Sequence, residues 1–382
     1  LREFVASLDS GHPASQSKRP NTLIALIFLR PSTIICKISV TERSLDLRPD
    51  PSPQLFAAAI ARICPTAPRR VLCFDATPAI VALPALANAQ VIAIQGWRPL
   101  HDALRATGAA THPEPTAEDT QADLALVRLG RSRVRNLAAI ADGTLRLAPG
   151  GTLIAAGAND HGAAGHARLA GARDAIARFH GRAFWFARDA APPAATLAAW
   201  HAAVALAAVP PDGRIGAPGA FSWDRVDSGS ALLAAHLPAE IAGRVADLGA
   251  GWGYLARHLA AANPRIETLD LYEADHASLA AARANLAQVA AARFHWHDVT
   301  TGLPHGPYDA IVTNPPFHDD RGADVAIGIA FLRAAARALR PGGTLWLVAN
   351  RRLPYEETLR ADFAHSALVD ARDGYKVVVA RR

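Results

Sequence analysis

The segment Ala148-Pro149-Gly150-Gly151-Thr152-Leu153-Ile154 returns later in the chain as Arg340-Pro341-Gly342-Gly343-Thr344-Leu345-Trp346. In both places it follows a leucine-bearing helical pattern and precedes an apolar run. Proline cannot continue a helix and glycine accepts positive φ, so the motif marks the same helix-to-strand turn twice. The chain is therefore expected to hold two α/β units of one plan. Residues 71–74 and 91–94 are buried-strand patterns in the first unit, and 244–248 and 266–271 are their counterparts in the second. Strands that alternate with helical patterns imply a mostly parallel, Rossmann-like sheet in each unit.

At 382 residues the chain exceeds what one hydrophobic core usually serves. Pro192-Pro193, an alanine-rich helix expected over about 194–209, and Pro210-Pro211-Asp212-Gly213 lie between the units. The boundary is placed there, giving a degenerate first domain over 46–209 and a catalytic second domain over 210–382. Near the chain end, Asp373-Gly374 separates the apolar runs 367–369 and 375–380. That is a hairpin signature, so the last strand is expected to run antiparallel to the sheet.

Hydrophobic residues make up 51% of the chain, much of it alanine, and charged residues 19%. The net charge of +6 suits a partner that carries phosphates. Cys36, Cys64 and Cys73 lack C-x-x-C spacing and an even count, which fits small buried hydrophobes in a reducing cytoplasm rather than disulfides or zinc. The sequence contains no methionine and opens on Leu1, so residues 1–45 are expected to be an upstream extension or tail. Within it, the apolar run 22–29 stops at Arg30-Pro31, far short of the ~20 residues needed to cross a bilayer, and no membrane association is expected.

Chemistry concentrates in the second unit. Val245-Ala246-Asp247-Leu248-Gly249-Ala250-Gly251-Trp252-Gly253 is a strand entering a glycine-rich turn before a helix that starts near Tyr254. Glycines at alternate positions let the backbone approach a ligand closely. Glu273 follows at the end of the next strand, where a carboxylate accepts both hydroxyls of a ribose. This pair serves an adenosine-type cofactor or a nicotinamide dinucleotide equally well.

A second constellation discriminates between them. The strand 308–313 delivers Asn314-Pro315-Pro316-Phe317 to the C-terminal sheet edge, where open α/β sheets bind ligands. Two prolines remove amide donors and leave carbonyls free, and the Asn314 side-chain oxygen adds a further acceptor. An exocyclic amine about to attack a methyl group needs such acceptors, and Phe317 can stack on a flat base. Asp298 is placed either to accept from an adenine amino group or to act as a turn acid. Asp227 and Ser230 are positioned to touch ligand or to cap the helix that begins near Ala231. His295, His297 and His318 lack the spacing of a metal site, and no metal is expected. Arg128, Arg131, Arg133 and Arg135 form either a solvated face or a phosphate-contacting surface on the first unit.

Together with Phe221-Ser222-Trp223-Asp224-Arg225-Val226-Asp227-Ser228-Gly229-Ser230 and Val348-Ala349-Asn350-Arg351-Arg352-Leu353-Pro354-Tyr355, these motifs resemble the bacterial ribosomal RNA small-subunit guanine-N2 methyltransferase C family. The degenerate duplicate ahead of them matches that family's plan. Asp320-Arg321, where family members often carry glycine, departs from it. The resemblance implies tandem class I methyltransferase domains and S-adenosylmethionine held by Gly249, Gly251 and Glu273, and the glycine turn and strand ends add Asp247, Gly253 and Asp298 as candidates for the same site. It implies guanine held by Asn314 to Phe317, and His318, Arg128, Arg131 and Arg133 are the further candidate RNA contacts that the residues themselves offer. It also implies a cytoplasmic, monomeric enzyme acting on ribosomal RNA or the small subunit. The remaining alternatives are a large-subunit guanine-N2 enzyme, an adenine-N6 enzyme, a protein glutamine methyltransferase, or a non-catalytic RNA-binding assembly factor.

Overall fold

A computed structural model describes residues 50–316 and 323–382. The expected tail at 1–45, Phe317 and His318 lie outside the described residues. Helix α1 (Ser52–Ile63) precedes the first sheet, made of β1 (Arg70–Phe74), β2 (Gln90–Ile94), β3 (Ala110–His112), β4 (Ala122–Arg128), β5 (Leu147–Ala158), β6 (Asp174–Arg178) and β7 (Gly181–Ala187). Its strands lie in the order β3-β2-β1-β4-β5-β7-β6. Helices α2 (Pro78–Val81), α3 (Arg98–Ala106), α4 (Arg133–Leu145) and α5 (Ala163–Leu169) fill the crossovers, and α6 (Ala194–Ala202) follows. Strands β1 to β5 are parallel, whereas β7 is antiparallel to both β5 and β6.

The second half repeats this plan. It consists of α7 (Ser228–Ala234), β10 (Gly243–Leu248), α8 (Tyr254–Ala262), β11 (Ile266–Glu273), α9 (His276–Asn285), β12 (Ala292–Trp296), β13 (Tyr308–Thr313), α10 (Ala323–Ala338), β14 (Leu339–Asn350), α11 (Glu356–Asp362), β15 (His365–Asp370) and β16 (Tyr375–Arg381). The strand order β12-β11-β10-β13-β14-β16-β15 is that of the first sheet. The expected terminal hairpin is present: Asp373 and Gly374 take positive φ, and β16 runs antiparallel to β14. Apolar residues fill both faces of each sheet, with Leu55, Phe56, Leu72 and Leu124 fully or almost fully buried in the first half and Leu248, Leu271, Ile311 and Leu345 in the second. Burying each such side chain contributes roughly 1.5–3 kcal/mol.

The repeated Pro-Gly-Gly has the same task in both halves, though not as a helix stop. Each copy lies inside a strand, where the register shifts between Ala122 and Leu124 against β5 and between Tyr308 and Ala310 against β14. Gly150 and Gly342 have φ +78° and +79°, and a Cβ on Gly151 would come within 2.8 Å of the Ala122 carbonyl oxygen. The motif builds a bulge at the entry of the fifth strand, so only glycine fits.

The helix expected over 194–209 ends at Ala202. Residues 207–209 instead form β8 (Ala207–Val209), antiparallel to β9 (Arg214–Gly216), with the Pro-Pro-Asp-Gly segment as the turn. Tertiary bonding overrides alanine's helix propensity here: Asn285 grips Ile215 through both amide atoms, at 2.7 and 2.8 Å, and so pins the hairpin to α9.

Candidate functional site

Register alignment makes the two sheets comparable residue by residue. Leu248 pairs with Tyr272 and Thr313, as Phe74 pairs with Ile94 and Val127. Asp75 thus stands where the second half has Gly249, Gln95 where it has Glu273, and Arg128 where it has Asn314. The loops that follow the second strands meet each other: Trp97 and Asp275 form an antiparallel bridge, flanked by Arg98 N–H to Ala274 O and His276 N–H to Gly96 O, both 2.9 Å. Gly96, Trp97 and Arg98 are the register equivalents of Ala274, Asp275 and His276, so corresponding pieces of the two halves face one another about a local twofold.

In the second half a cleft opens at the C-terminal edge of β10 and β13, lined by Phe221, Ser222, Asp227, Ser230, Trp252, Tyr254, Leu255, Asn314 and the backbone of 249–251. Gly249, Gly251 and Gly253 all have positive φ, but for different reasons. Around a Cβ on Gly251 no atom of the described residues other than its chain neighbours lies within 4 Å, whereas one on Gly253 would fall 2.5 Å from Leu286 Cδ1. Gly251 therefore keeps the cleft open, and Gly253 lets α8 pack on α9.

Two buried carboxyls lie behind this turn. Glu273 accepts the Gly251 amide at 2.8 Å through Oε2 and the Asp275 amide at 2.7 Å through Oε1. Burial, with a further push from the Asp275 charge, raises its carboxyl to about 7 against the opposing pull of those amides. Asp247 accepts the Ala256 amide at 3.1 Å through Oδ2, while its buried Oδ1 has no partner among the described residues. Burial, and after it the charge of Glu273, lifts Asp247 to about 7 as well.

Asn314 is held on its nitrogen side. Its Nδ2 donates to Asp227 Oδ2 at 2.8 Å and to Ser230 Oγ at 2.9 Å. Because the amide nitrogen is committed twice, Oδ1 is the atom left over, and it is buried with no partner among the described residues. Asp227 Oδ2 also accepts the Ser230 amide at 2.8 Å, so the same carboxylate caps α7 and orients Asn314. Pro315 is buried and Pro316 half-buried beside it. The 221–230 segment announced these partners, but a capping role and an orienting role use the same oxygen and are indistinguishable in sequence.

The other expected residues disperse. Asp298 spends Oδ1 on the Thr300 amide (2.9 Å) and hydroxyl (2.6 Å), capping a short 3-10 turn after β12. His295 Nε2 is 2.7 Å from Asp270 Oδ1, and His297 Nε2 is 2.6 Å from the Gly302 carbonyl oxygen. In the first half, Arg128 is bound to Asp75, with guanidinium contacts of 2.7 Å to the carboxylate and 2.8 Å to the carbonyl oxygen, and Gln95 donates to Asp75 Oδ1 at 3.1 Å. An internal ion pair thus fills the place that the second half leaves as a cleft. Arg131 and Arg133 instead line a recess with His161, His166 and Arg168. Arg135, the fourth member of that run, reaches into the second half and grips Asp275 through two bonds of 3.0 and 2.7 Å.

Residues 215–379 match the family model of the methyltransferase small domain. A "Ribosomal RNA small subunit methyltransferase C" of Shewanella oneidensis is 33% identical over 242 residues, 60% of this chain and 69% of that protein. A "Ribosomal RNA large subunit methyltransferase G" of Streptomyces coelicolor is 39% identical over 156 residues, 40% of this chain and 41% of that one. A 16S rRNA N2 methyltransferase of T. thermophilus, solved with AdoMet and guanosine, superposes with a TM-score of 0.71 and 26% identity over 87% of this chain and 92% of that one. The first curated relatives are matched over less than half of their length, between 41% and 47%.

Duplicated sheets of this strand order, one carrying a glycine-turn cleft, define a tandem methyltransferase fold. Within that class the chain belongs to the ribosomal RNA small subunit methyltransferase C family.

Proposed function

We propose that the chain is an S-adenosylmethionine-dependent methyltransferase acting on the exocyclic N2 amine of a guanine in small-subunit ribosomal RNA. The observation that carries this reading is the buried Oδ1 of Asn314, without a partner among the described residues and fixed by two bonds on the opposite side of the amide. A rigid acceptor suits a substrate that offers N–H donors, as a guanine amine does. The cofactor fit is supported by the space that the described residues leave over Gly251, the carboxyl of Glu273 beside it, and the Asp247 oxygen that has no partner among them.

Glu273 would take the ribose hydroxyls, Gly249 and Gly251 would admit the backbone-side edge, and Asp298 would offer its remaining oxygen to the adenine. When bound, S-adenosylmethionine supplies a methyl group activated by its sulfonium. Asn314 Oδ1 accepts one hydrogen of the amine and turns the nitrogen lone pair toward that methyl. The prolines at 315 and 316 leave carbonyl oxygens without competing donors for the second hydrogen. Transfer of that methyl group to the oriented nitrogen would leave an acidic ammonium there, whose proton would pass to water. A paired guanine must first leave its stack to reach such a site, and Phe317 is assigned to stack on it.

The first domain, 46–209, is assigned to structure and RNA contact, with Arg131, Arg133 and their recess as the phosphate-facing surface and His318 as a contact from the second domain. Arg128 is reassigned to the internal ion pair. No helix among the described residues is long and apolar enough to cross a membrane, and a monomeric cytoplasmic enzyme is the reading that fits an RNA substrate. Incubation with methyl-labelled cofactor and separated, unmodified small and large subunits tests the substrate. Label in 16S RNA is expected. Label confined to large-subunit RNA would overturn the choice of subunit, and label in protein would overturn the choice of RNA.

A further inference from the structure

The first half keeps no glycine turn of its own, yet one of its arginines reaches the loop that follows the acid expected to hold the cofactor. Arg135, in the first turn of α4, makes a bidentate ion pair with Asp275, whose side chain is only 14% exposed. The backbone amide of Asp275 donates to Glu273 Oε1, and the amide of Gly251 donates to Glu273 Oε2. Asp275 also caps α9 by accepting the Ser278 amide and hydroxyl at 3.2 and 2.6 Å. One side chain from the first half is therefore two bonded steps from the carboxylate. Arg135 is itself braced, because a Cβ on Gly219 would come within 2.8 Å of its Cγ.

We propose that Arg135 is a positioning residue for the cofactor site of the other half: by clamping Asp275 it fixes the loop that orients Glu273 and offsets part of the negative charge that Asp275 places beside it. The inference rests on the reading of Glu273 as the ribose acceptor. Without Arg135, Asp275 would be a nearly buried carboxylate with no cation, next to a second buried carboxyl. The charged groups around the pair are Asp247 at the end of β10, Asp275 on the shared loop, Arg135 and Asp75 from the first half, and the His276–Glu114 contact at the start of α9. Among them Arg135 is the cation that touches Asp275 directly. In the first half the corresponding positions are neutral, Gln95 for Glu273 and Trp97 for Asp275, so no such counter-charge is needed there. Duplication thus leaves one half holding the ligand and the other holding the charge balance of the acid.

Titration calorimetry of S-adenosylmethionine and S-adenosylhomocysteine against the full chain, from pH 6 to 8.5, tests this, with Glu273→Gln as the reference whose Glu273-dependent pH response is absent. Wild-type affinity is expected to rise through about pH 7 as Glu273 ionises. Arg135→Met is expected to move that inflection up by about one unit and weaken binding at pH 7 about fivefold, the scale on which a neighbouring charge shifts a carboxyl. Asp275→Asn keeps a helix cap and removes the repulsion, so it should return the inflection in the Arg135→Met background to 7 or below. Should Arg135→Met fail to fold, Asp275→Asn alone decides: an inflection moved down supports the inference, and an unmoved one overturns it. A folded Arg135→Met chain with the wild-type profile overturns the inference while leaving the cofactor reading intact. A wild-type chain that binds neither compound overturns both.

Discussion

Replacing Asn314 by alanine removes a buried amide oxygen that has no partner among the described residues, and it leaves Gly251 and Glu273 untouched. Loss of a preorganised acceptor of this kind lowers the chemical step by about 10²–10³, or 3–4 kcal/mol. Cofactor affinity is expected to stay within about twofold of wild type, since no cofactor-assigned residue is bonded to the Asn314 side chain. Asp227 offers a sharper test, because its carboxylate both caps α7 and holds the Asn314 amide at 2.8 Å. Asp227→Ala should cost about 1 kcal/mol of stability through the lost cap, with or without Asn314. Its effect on rate, about tenfold, should exist only while Asn314 is present, because Asp227 acts on the reaction through that amide. Single-turnover methyl transfer at saturating cofactor and RNA, measured for wild type, both single variants and the double variant, provides the cycle. Wild-type turnover by Asn314→Ala, or an equal slowing by Asp227→Ala in both backgrounds, would refute the assignment of Asn314 as the oriented acceptor.

Further outcomes follow from the same geometry. The chain should bind one cofactor per molecule by calorimetry, because Arg128 and Asp75 occupy the corresponding place in the first half; two per chain would contradict this. Glu273→Ala should weaken cofactor affinity by roughly 1.5–3 kcal/mol without unfolding the protein, and an unchanged dissociation constant would make Glu273 a purely structural acid. Gly251→Ala should mainly weaken cofactor binding, whereas Gly253→Ala should mainly lower the melting temperature, since only the latter drives a methyl into Leu286; equal melting losses would remove the distinction. Glu273 has a folded-state carboxyl near 7, above its ordinary value of 4.5, so the unliganded fold binds the extra proton and loses the associated stability as pH rises from about 4.5 to 7. The melting temperature of Glu273→Gln minus that of wild type should therefore grow over this window, and a constant difference would show that Glu273 titrates normally.

The sheet plan was legible because it is carried by local signals. Strand runs, the glycine turn and Asp373-Gly374 each specify conformation within a few residues, and they lie where periodicity puts them. The Pro-Gly-Gly repeat revealed the duplication while hiding its own role, since a bulge inside a strand and a stop after a helix share the same residues. The 194–209 helix failed because Asn285, 70 positions from Ile215, supplies the bonds that make 207–216 a hairpin. Long-range pairing also concealed the fate of the arginine run. Arg128 and Arg135 look alike in sequence, but one is consumed by Asp75, 53 positions away, and the other by Asp275, 140 positions away. The candidate acceptor Asn314 was visible from its motif, and its orientation by Asp227 and Ser230 was not, because helix capping predicts the same residues there.

Nucleoside mass spectrometry of 16S RNA from unmodified small subunits, after incubation with the purified chain and methyl-deuterated S-adenosylmethionine, tests the central claim most directly. The account predicts N2-methylguanosine bearing one deuterated methyl group at a single position, formed by the wild type and lost with Asn314→Ala. Deuterated methyl on a ring nitrogen, a ribose oxygen or adenine, or none at all from a chain that binds the cofactor, would contradict it.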